Sequence, residues 1–308
     1  MRTIRLIIII WALAAVIAAV FGNITIAADN GVTTAAFLGV GVGAKAMGMG
    51  EAFTAIADDA SAVYWNPAGL SRLTRGQMQF SHYSWYQDTK VENLNLAMPG
   101  RLISFGVGLT YLGYGHFTSY DEDGNPGEEL SMYNLAASLS ASYNVSEVVS
   151  IGLTAKYVEQ SFDIIKGTAF AGDVGLLADF DKIRIGLAAT NFGTGMKFMA
   201  HSEDLPAAFR VGLAVKQLND QALVAIEAHA PIKGSISIHN GFEFNFDRQF
   251  YVRSGFTYQE GTYPGISSVG YDLGAGFAYG SGRFDYTFSP SSEYGGDAIH
   301  NFSLSFWW

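Results

Sequence analysis

From Met78 to the end of the chain, apolar residues alternate with small or polar ones at a period of two. Ile103, Phe105, Val107, Leu109 and Tyr111 alternate with Ser104, Gly106, Gly108 and Thr110. Val149, Ile151, Leu153, Ala155 and Tyr157 alternate with Ser150, Gly152, Thr154 and Lys156. The chain closes in the same way, with Phe302, Leu304 and Phe306 set against Ser303, Ser305 and Trp307. This is the pattern of strands with one apolar and one polar face. Fourteen segments carry it: 77–87, 92–98, 101–113, 130–144, 148–159, 170–180, 183–191, 207–217, 222–230, 235–246, 250–259, 269–279, 283–289 and 299–308. Most have about 9–11 residues or slightly more, the length a tilted strand needs to cross a bilayer.

The connections divide into two kinds. Pro99-Gly100, Val145–Glu147, Asp181-Lys182, Leu218–Asp220, Asp247–Gln249 and Gly280–Gly282 are short. The intervening 114–129, 160–169, 192–206, 260–268 and 290–298 are long and rich in Gly, Asp and Ser. Short turns at one end and long loops at the other distinguish a transmembrane barrel from a soluble β-sandwich, which also alternates. Tyr111, Tyr143, Tyr157, Tyr258, Tyr279, Trp307 and Trp308 fall near strand ends, as interface girdles do. The fold expected is all-β: a 14-stranded antiparallel transmembrane β-barrel with a short, partly helical N-terminal plug.

Composition removes other classes. With no cysteine there is no disulfide framework and no thiolate metal site. A net charge of −10 without basic clusters argues against nucleic acid as a partner. Six histidines are scattered singly, none with a nearby Ser or Cys nucleophile and matching acid, so an outer-membrane lipase or protease has no triad to work with. No cofactor or metal site is read. Gly39–Ala44 looks superficially like a dinucleotide loop but lacks the strand and helix of a βαβ unit.

The first 28 residues read as an address. Arg2 and Arg5 precede an apolar run from Leu6 to Phe21, and small residues follow at Ala27-Ala28. This is the layout of a secretory signal peptide cleaved after Ala28, with Ala27 as the alternative. The run is short of the ~20 residues of a spanning helix, which disfavours an uncleaved anchor. Residues 29–75 are Ala-, Gly- and Met-rich and do not alternate. They are too small for a core of their own, and lie where they can fold into the barrel mouth. Asp58 or Asp59 is placed to cap a short helix over Ala60–Trp65, stopped by Pro67, and to pair with a lumen cation. Asn66, pushed out of that helix by Pro67, is free to bond the wall. Residues 76–308 make the barrel.

The stretch Gly43–Thr54, followed by Ala57-Asp58-Asp59-Ala60-Ser61 and Asn66-Pro67-Ala68-Gly69-Leu70, resembles the N-terminal signature of the PorV/PorQ family, itself similar to FadL-type outer-membrane transporters. Ile183–Gly193, Asp204-Leu205-Pro206 and the final strand are similar more loosely. The resemblance implies a 14-stranded barrel with a plug. Its members include a component that hands cargo to type IX secretion, and FadL relatives pass hydrophobic molecules inward. The chain is shorter than those relatives, which implies no deep fatty-acid pocket among the extracellular loops.

By alternation, Glu227, Glu243, Arg253, Asp272, Arg283 and Asp285 face inward on neighbouring strands, where mixed signs can neutralise one another. Met196, Met199 and His201 sit in a long loop that could touch ligand. The reading is a non-enzymatic outer-membrane barrel, with membrane lipid as its solvent. It moves or holds hydrophobic or extended ligands through the 114–129 and 192–206 loops. The alternative is a secretion-associated partner for secretion-system proteins or secreted cargo. The resemblance also implies that the terminal aromatics are an assembly signal. Deleting Phe306–Trp308 should therefore stall insertion, read as loss of the heat-modifiable band on unheated gels; normal levels of that band would reject the assignment.

Overall fold

The computed structural model describes residues 33–84, 89–121, 123–198, 201–260, 267–290 and 298–308; the leader assigned to residues 1–28 lies outside them. Fourteen long strands build the molecule. The first seven are β1 Gln77–Ser84, β2 Lys90–Met98, β3 Ile103–Tyr120, β4 Pro126–Asn144, β5 Val149–Phe162, β6 Ile165–Asp179 and β7 Ile183–Gly193. Two three-residue strands, β8 Met196–Phe198 and β9 His201–Glu203, form a side hairpin hung on β6. The series resumes with β10 Ala208–Gln217, β11 Ala222–Pro231, β12 Ser237–Phe246, β13 Phe250–Glu260, β14 Ser267–Tyr279, β15 Gly282–Ser289 and β16 Ile299–Trp307. Each long strand pairs antiparallel with its sequence neighbours, β7 with β10, and β16 with β1, so the sheet closes. Closure leaves no edge strand on the ring.

Two connections expected as loops are strand. β3 runs on to Tyr120 and β4 begins at Pro126, where a loop over 114–129 was expected. The 18 residues of β3 reach roughly 60 Å at ~3.4 Å per residue, well past a membrane. Register shifts at Gly113/His116 and Thr118/Tyr120 explain why the extension is hidden in the sequence. A bulge breaks the two-residue period on which the reading depends. β5 and β6 likewise meet at the tight turn Asp163-Ile164, with Asp163 at φ 54°.

The two faces of the sheet differ chemically. Outward positions are apolar and exposed, as at Phe105, Leu139, Leu153, Leu273 and Phe306. Inward positions are polar or small and buried, as at Gln79, Asn95, Ser142, Ser150 and Thr287. Polar pairs bound the outward apolar band toward the long-loop end. There Tyr133 and Tyr157 donate to Glu159 at 2.7 and 2.8 Å, and His82 meets Glu92 at 2.7 Å. From Ile103 to Tyr111 is roughly 27 Å along a strand, close to the ~25 Å apolar band of outer-membrane barrels. Among the described residues no helix is long and apolar enough to cross a membrane, so crossing falls to the strands.

Turn length sets register. The three-residue turn Asp247–Gln249 puts Glu243 opposite Arg253 and Phe244 opposite Val252, which keeps polar with polar and apolar with apolar. A slip of one residue would reverse every side chain. Leu139→Arg, at the middle of the outward band, should cost about 2–4 kcal/mol of folding stability in lipid, measured by urea titration of the reconstituted barrel. No measurable loss would show that this face does not meet lipid.

Candidate functional site

Residues 33–75 lie inside the ring and run its full length. Thr34 N–H donates to the Asp204 carbonyl (3.1 Å) at the long-loop end, while Arg72 donates to the Glu147 carbonyl (2.7 Å) at the other. Between them the segment forms one-turn helices at Ala44–Gly48 and Ala62–Trp65 and 3-10 turns at Ala36–Gly39 and Pro67–Arg72. Few inward side chains are large, and this lets the segment's backbone reach the wall. A Cβ on Gly152 would collide with the backbone of Pro67 and Ala68, and one on Gly255 with the backbone of Gly50. Gly50 itself is at φ 60°, a conformation open to glycine without cost.

Hydrogen bonds secure this fit. Ala44 donates to Ser303 Oγ (2.7 Å), Thr54 N–H to Glu227 Oε2 (2.8 Å), and a His239 ring nitrogen lies 2.7 Å from the Gly50 carbonyl. Phe53 and Trp65 are fully buried, and Trp65 Nε1 donates to the Val42 carbonyl (3.1 Å). The glycine run Gly39–Gly43 lies along β1, where Tyr83 donates to the Gly41 carbonyl (3.0 Å).

The aspartates expected to reach the wall are satisfied within the segment. Asp58 pairs with Lys45 at 2.5 Å, a residue of the segment itself and not a lumen cation. Burial raises the Asp58 carboxyl and Lys45 lowers it; the lysine, helped by Arg184, prevails and holds it at about 2. Asp59 accepts from Ser61 N–H (2.9 Å), ahead of a helix that begins at Ala62 rather than Ala60. The helix itself has no side-chain cap. Asn66 does reach the wall. Its Nδ2 donates to the Leu176 carbonyl (3.1 Å) of β6 and its Oδ1 caps the turn begun by Pro67, through Ala68 N–H (3.1 Å).

The six inward charges divide among three places instead of forming one network. Arg253 bonds Glu243 (2.6 Å) and Asp285 (2.8 Å), and Arg283 bonds Asp285 (2.7 Å). Glu227 pairs with Arg210 (2.9 Å), which stacks on Trp65 at 5.0 Å. Asp272 stands apart, bonded by the Ser289 hydroxyl. Sequence reasoning missed Arg210, and also the buried Lys156–Asp173 pair (2.8 Å). Parity along β10 and β5 would have found both, since each shares its face with inward glycine. Met196 is buried against β6, not offered to a ligand; Met199 and the His201 side chain lie outside the described residues.

Above the segment, at the long-loop end, the barrel holds a cavity of ≈ 830 Å³. Strand ends, more than loops, wall it, so the shortness of the chain does not remove it. Tyr114 and Phe117 of β3 and Ile299 of β16 supply apolar surface. Arg210, His229, His239 and Asp272 line the opposite arc from β10 to β14, and Met47 and Glu51 of the segment reach it from below. Ser237 Oγ bridges the two imidazoles, 3.4 Å from His229 Nδ1 and 2.8 Å from His239 Nε2. Burial pushes the Glu51 carboxyl up to about 7, against the pull of Arg210 and with the help of Asp272 and Glu227.

The fold has close counterparts. The chain is similar to the CymD monoaromatic hydrocarbon channel, with TM-score 0.65 and 15% identity over 87% of this chain and 98% of that one. It is similar to the Ralstonia pickettii toluene transporter TbuX, with TM-score 0.62 and 14% identity over 87% and 98%. A Pseudomonas aeruginosa FadL homologue matches at TM-score 0.57 and 13% identity over 84% and 97%. These likenesses show the fold alone, a closed antiparallel barrel like theirs. In sequence, the model of an uncharacterised protein family, UPF0164, matches residues 12–164. A UPF0164 protein of Treponema pallidum (strain Nichols) is 26% identical over 193 residues, 54% of this chain and 45% of that protein. The chain thus spans under half the length of that curated relative. None of these matches singles out PorV or PorQ.

Gly255→Val should drive the segment off β13, because its side chain enters the space of Gly50. We expect a loss of about 1–3 kcal/mol and trypsin cleavage at Lys45, with the barrel still heat-modifiable. Protection equal to wild type would show that the segment is not packed against that glycine.

Proposed function

We propose that this protein is an outer-membrane barrel, not an enzyme, that captures small, largely hydrophobic molecules at its mouth and passes them inward past the N-terminal segment. The cavity of ≈ 830 Å³, open at the long-loop end and floored by Met47 and Glu51, carries the reading. Its size suits a small organic ligand. The apolar outer band supports residence in lipid, and the neighbouring barrels of the same fold include a toluene transporter and a monoaromatic hydrocarbon channel. The segment acts as a plug. Capture requires no chemistry, only a ligand that binds the state with the plug loosened better than the closed state. The rival reading, a secretion partner, draws on the β5–β6 tip, where Ile164 is 90% exposed. Co-purification from native membranes separates the two: bound small molecules or lipid support transport, and a stoichiometric bound protein supports partnership.

The gate has its own test. Asp58→Ala with Asp59→Ala removes the Lys45 pair and the turn at Ser61. Stripping buried Lys45 of its partner costs about 3–5 kcal/mol. The double variant should raise single-channel conductance and toluene uptake in proteoliposomes while the barrel still folds. Conductance as low as wild type would mean that this pair does not hold the gate.

A further inference from the structure

The charges around the mouth do not match a site for plain hydrocarbon. Arg210 is already committed to Glu227, whose second oxygen is taken by Thr54 N–H. Among the described residues neither Glu51 nor Asp272 has a salt-bridge partner. Two carboxyl groups therefore face one cavity, and among the described residues that line it the only Lys or Arg is Arg210, which is bonded to Glu227. Glu51 is held there at φ 65°, a left-handed conformation that a glutamate adopts only at a cost. Strain of this kind persists where the surrounding structure imposes it and clusters at ligand sites.

The wider field has the same sign. The seven connections at the long-loop end contain nine Asp or Glu and two Lys, with no Arg. The six at the opposite end contain four acidic and three basic residues. An acidic rim around a low-dielectric cleft concentrates cations and repels anions. Across from the carboxylates, Tyr114 and Phe117 offer aromatic surface, which suits both an apolar body and, through the ring faces, a cation.

We propose that the mouth cavity is a site for small organic cations, amines with an aromatic or short aliphatic body. Glu51 and Asp272 receive the ammonium group, and Tyr114 and Phe117 cover the apolar part. This rests on the reading of the cavity as the capture site and narrows it to a ligand class. Arg210, held by Glu227, does not oppose the ammonium as a free cation would.

The test uses the full mature barrel in detergent, with benzylamine, toluene and phenylacetate as probes of similar size, followed by calorimetry or tryptophan fluorescence. Benzylamine should bind on the order of tenfold more tightly than toluene, as one charge–charge contact at a partly solvated site allows, and phenylacetate most weakly. In Glu51→Gln, Asp272→Asn and the double variant, the ratio of benzylamine to toluene affinity should fall stepwise toward one. Equal affinity for benzylamine and toluene in the wild type overturns the cation assignment and leaves the capture reading standing. So does a ratio unchanged in the double variant. Binding of none of the three probes overturns both.

Discussion

The pairing of β16 with β1 is the constraint on which the rest depends. In hydrocarbon an unpaired backbone amide costs several kcal/mol, so a sheet survives there only as a closed ring. Eight register pairs, from Gln77↔Trp307 to Ser84↔His300, make that closure. They also settle which face each residue takes, because one ring admits one inside. Ser81 and Ser303 face the lumen together, and Phe80 and Leu304 face outward together. Closing fourteen strands leaves a lumen that side chains alone do not fill. The N-terminal segment fills it.

That segment works because the wall is thin where it passes. Inward glycines on β5 and β13 let backbone lie on backbone, and the hydrogen bonds at Ser303, Glu227 and Asn66 fix its height. Within it Lys45 and Asp58 settle each other's charge. Buried pairs such as Arg253–Glu243 add less net stability than their geometry suggests, since desolvation offsets much of the attraction. Their effect is on uniqueness: any other register strands a charge in the wall.

Most of the barrel was legible because period two survives wherever one face meets apolar surroundings and the other does not. It failed at β3 and β4, where bulges at Gly113 and Thr118 shift the parity, and at the β5–β6 turn. The inward charges could be named from parity, and the Glu243–Arg253 partnership from the turn length. Which charges meet across non-adjacent elements could not. Asp58 finds Lys45 through the fold of the segment, thirteen residues apart in sequence, and Glu51 reaches the cavity through a backbone turn that no periodicity marks. The cavity is a negative space between the segment's upper surface and strand ends from distant parts of the chain, so no local pattern encodes it.

The direction in which the segment runs limits how the barrel can open. Thr34 is at the mouth and Leu73–Gly76 leads straight into β1 at the opposite end, where Trp308 N–H donates to the Gly76 carbonyl (3.0 Å). The filling is therefore tethered and cannot leave as a free body. Full withdrawal would require some forty residues to be reeled through the ring past every wall contact. A far shorter movement is available within the half that precedes Glu51. If the stretch from Gly41 to Ala44 peels away from β1 and β16 while Asn66 and Pro67 stay anchored on β5 and β6, a passage forms along one side only. The chain's covalent topology thus favours an off-axis crevice over a central pore, and confines what passes to molecules narrow enough to slip beside a segment that never departs.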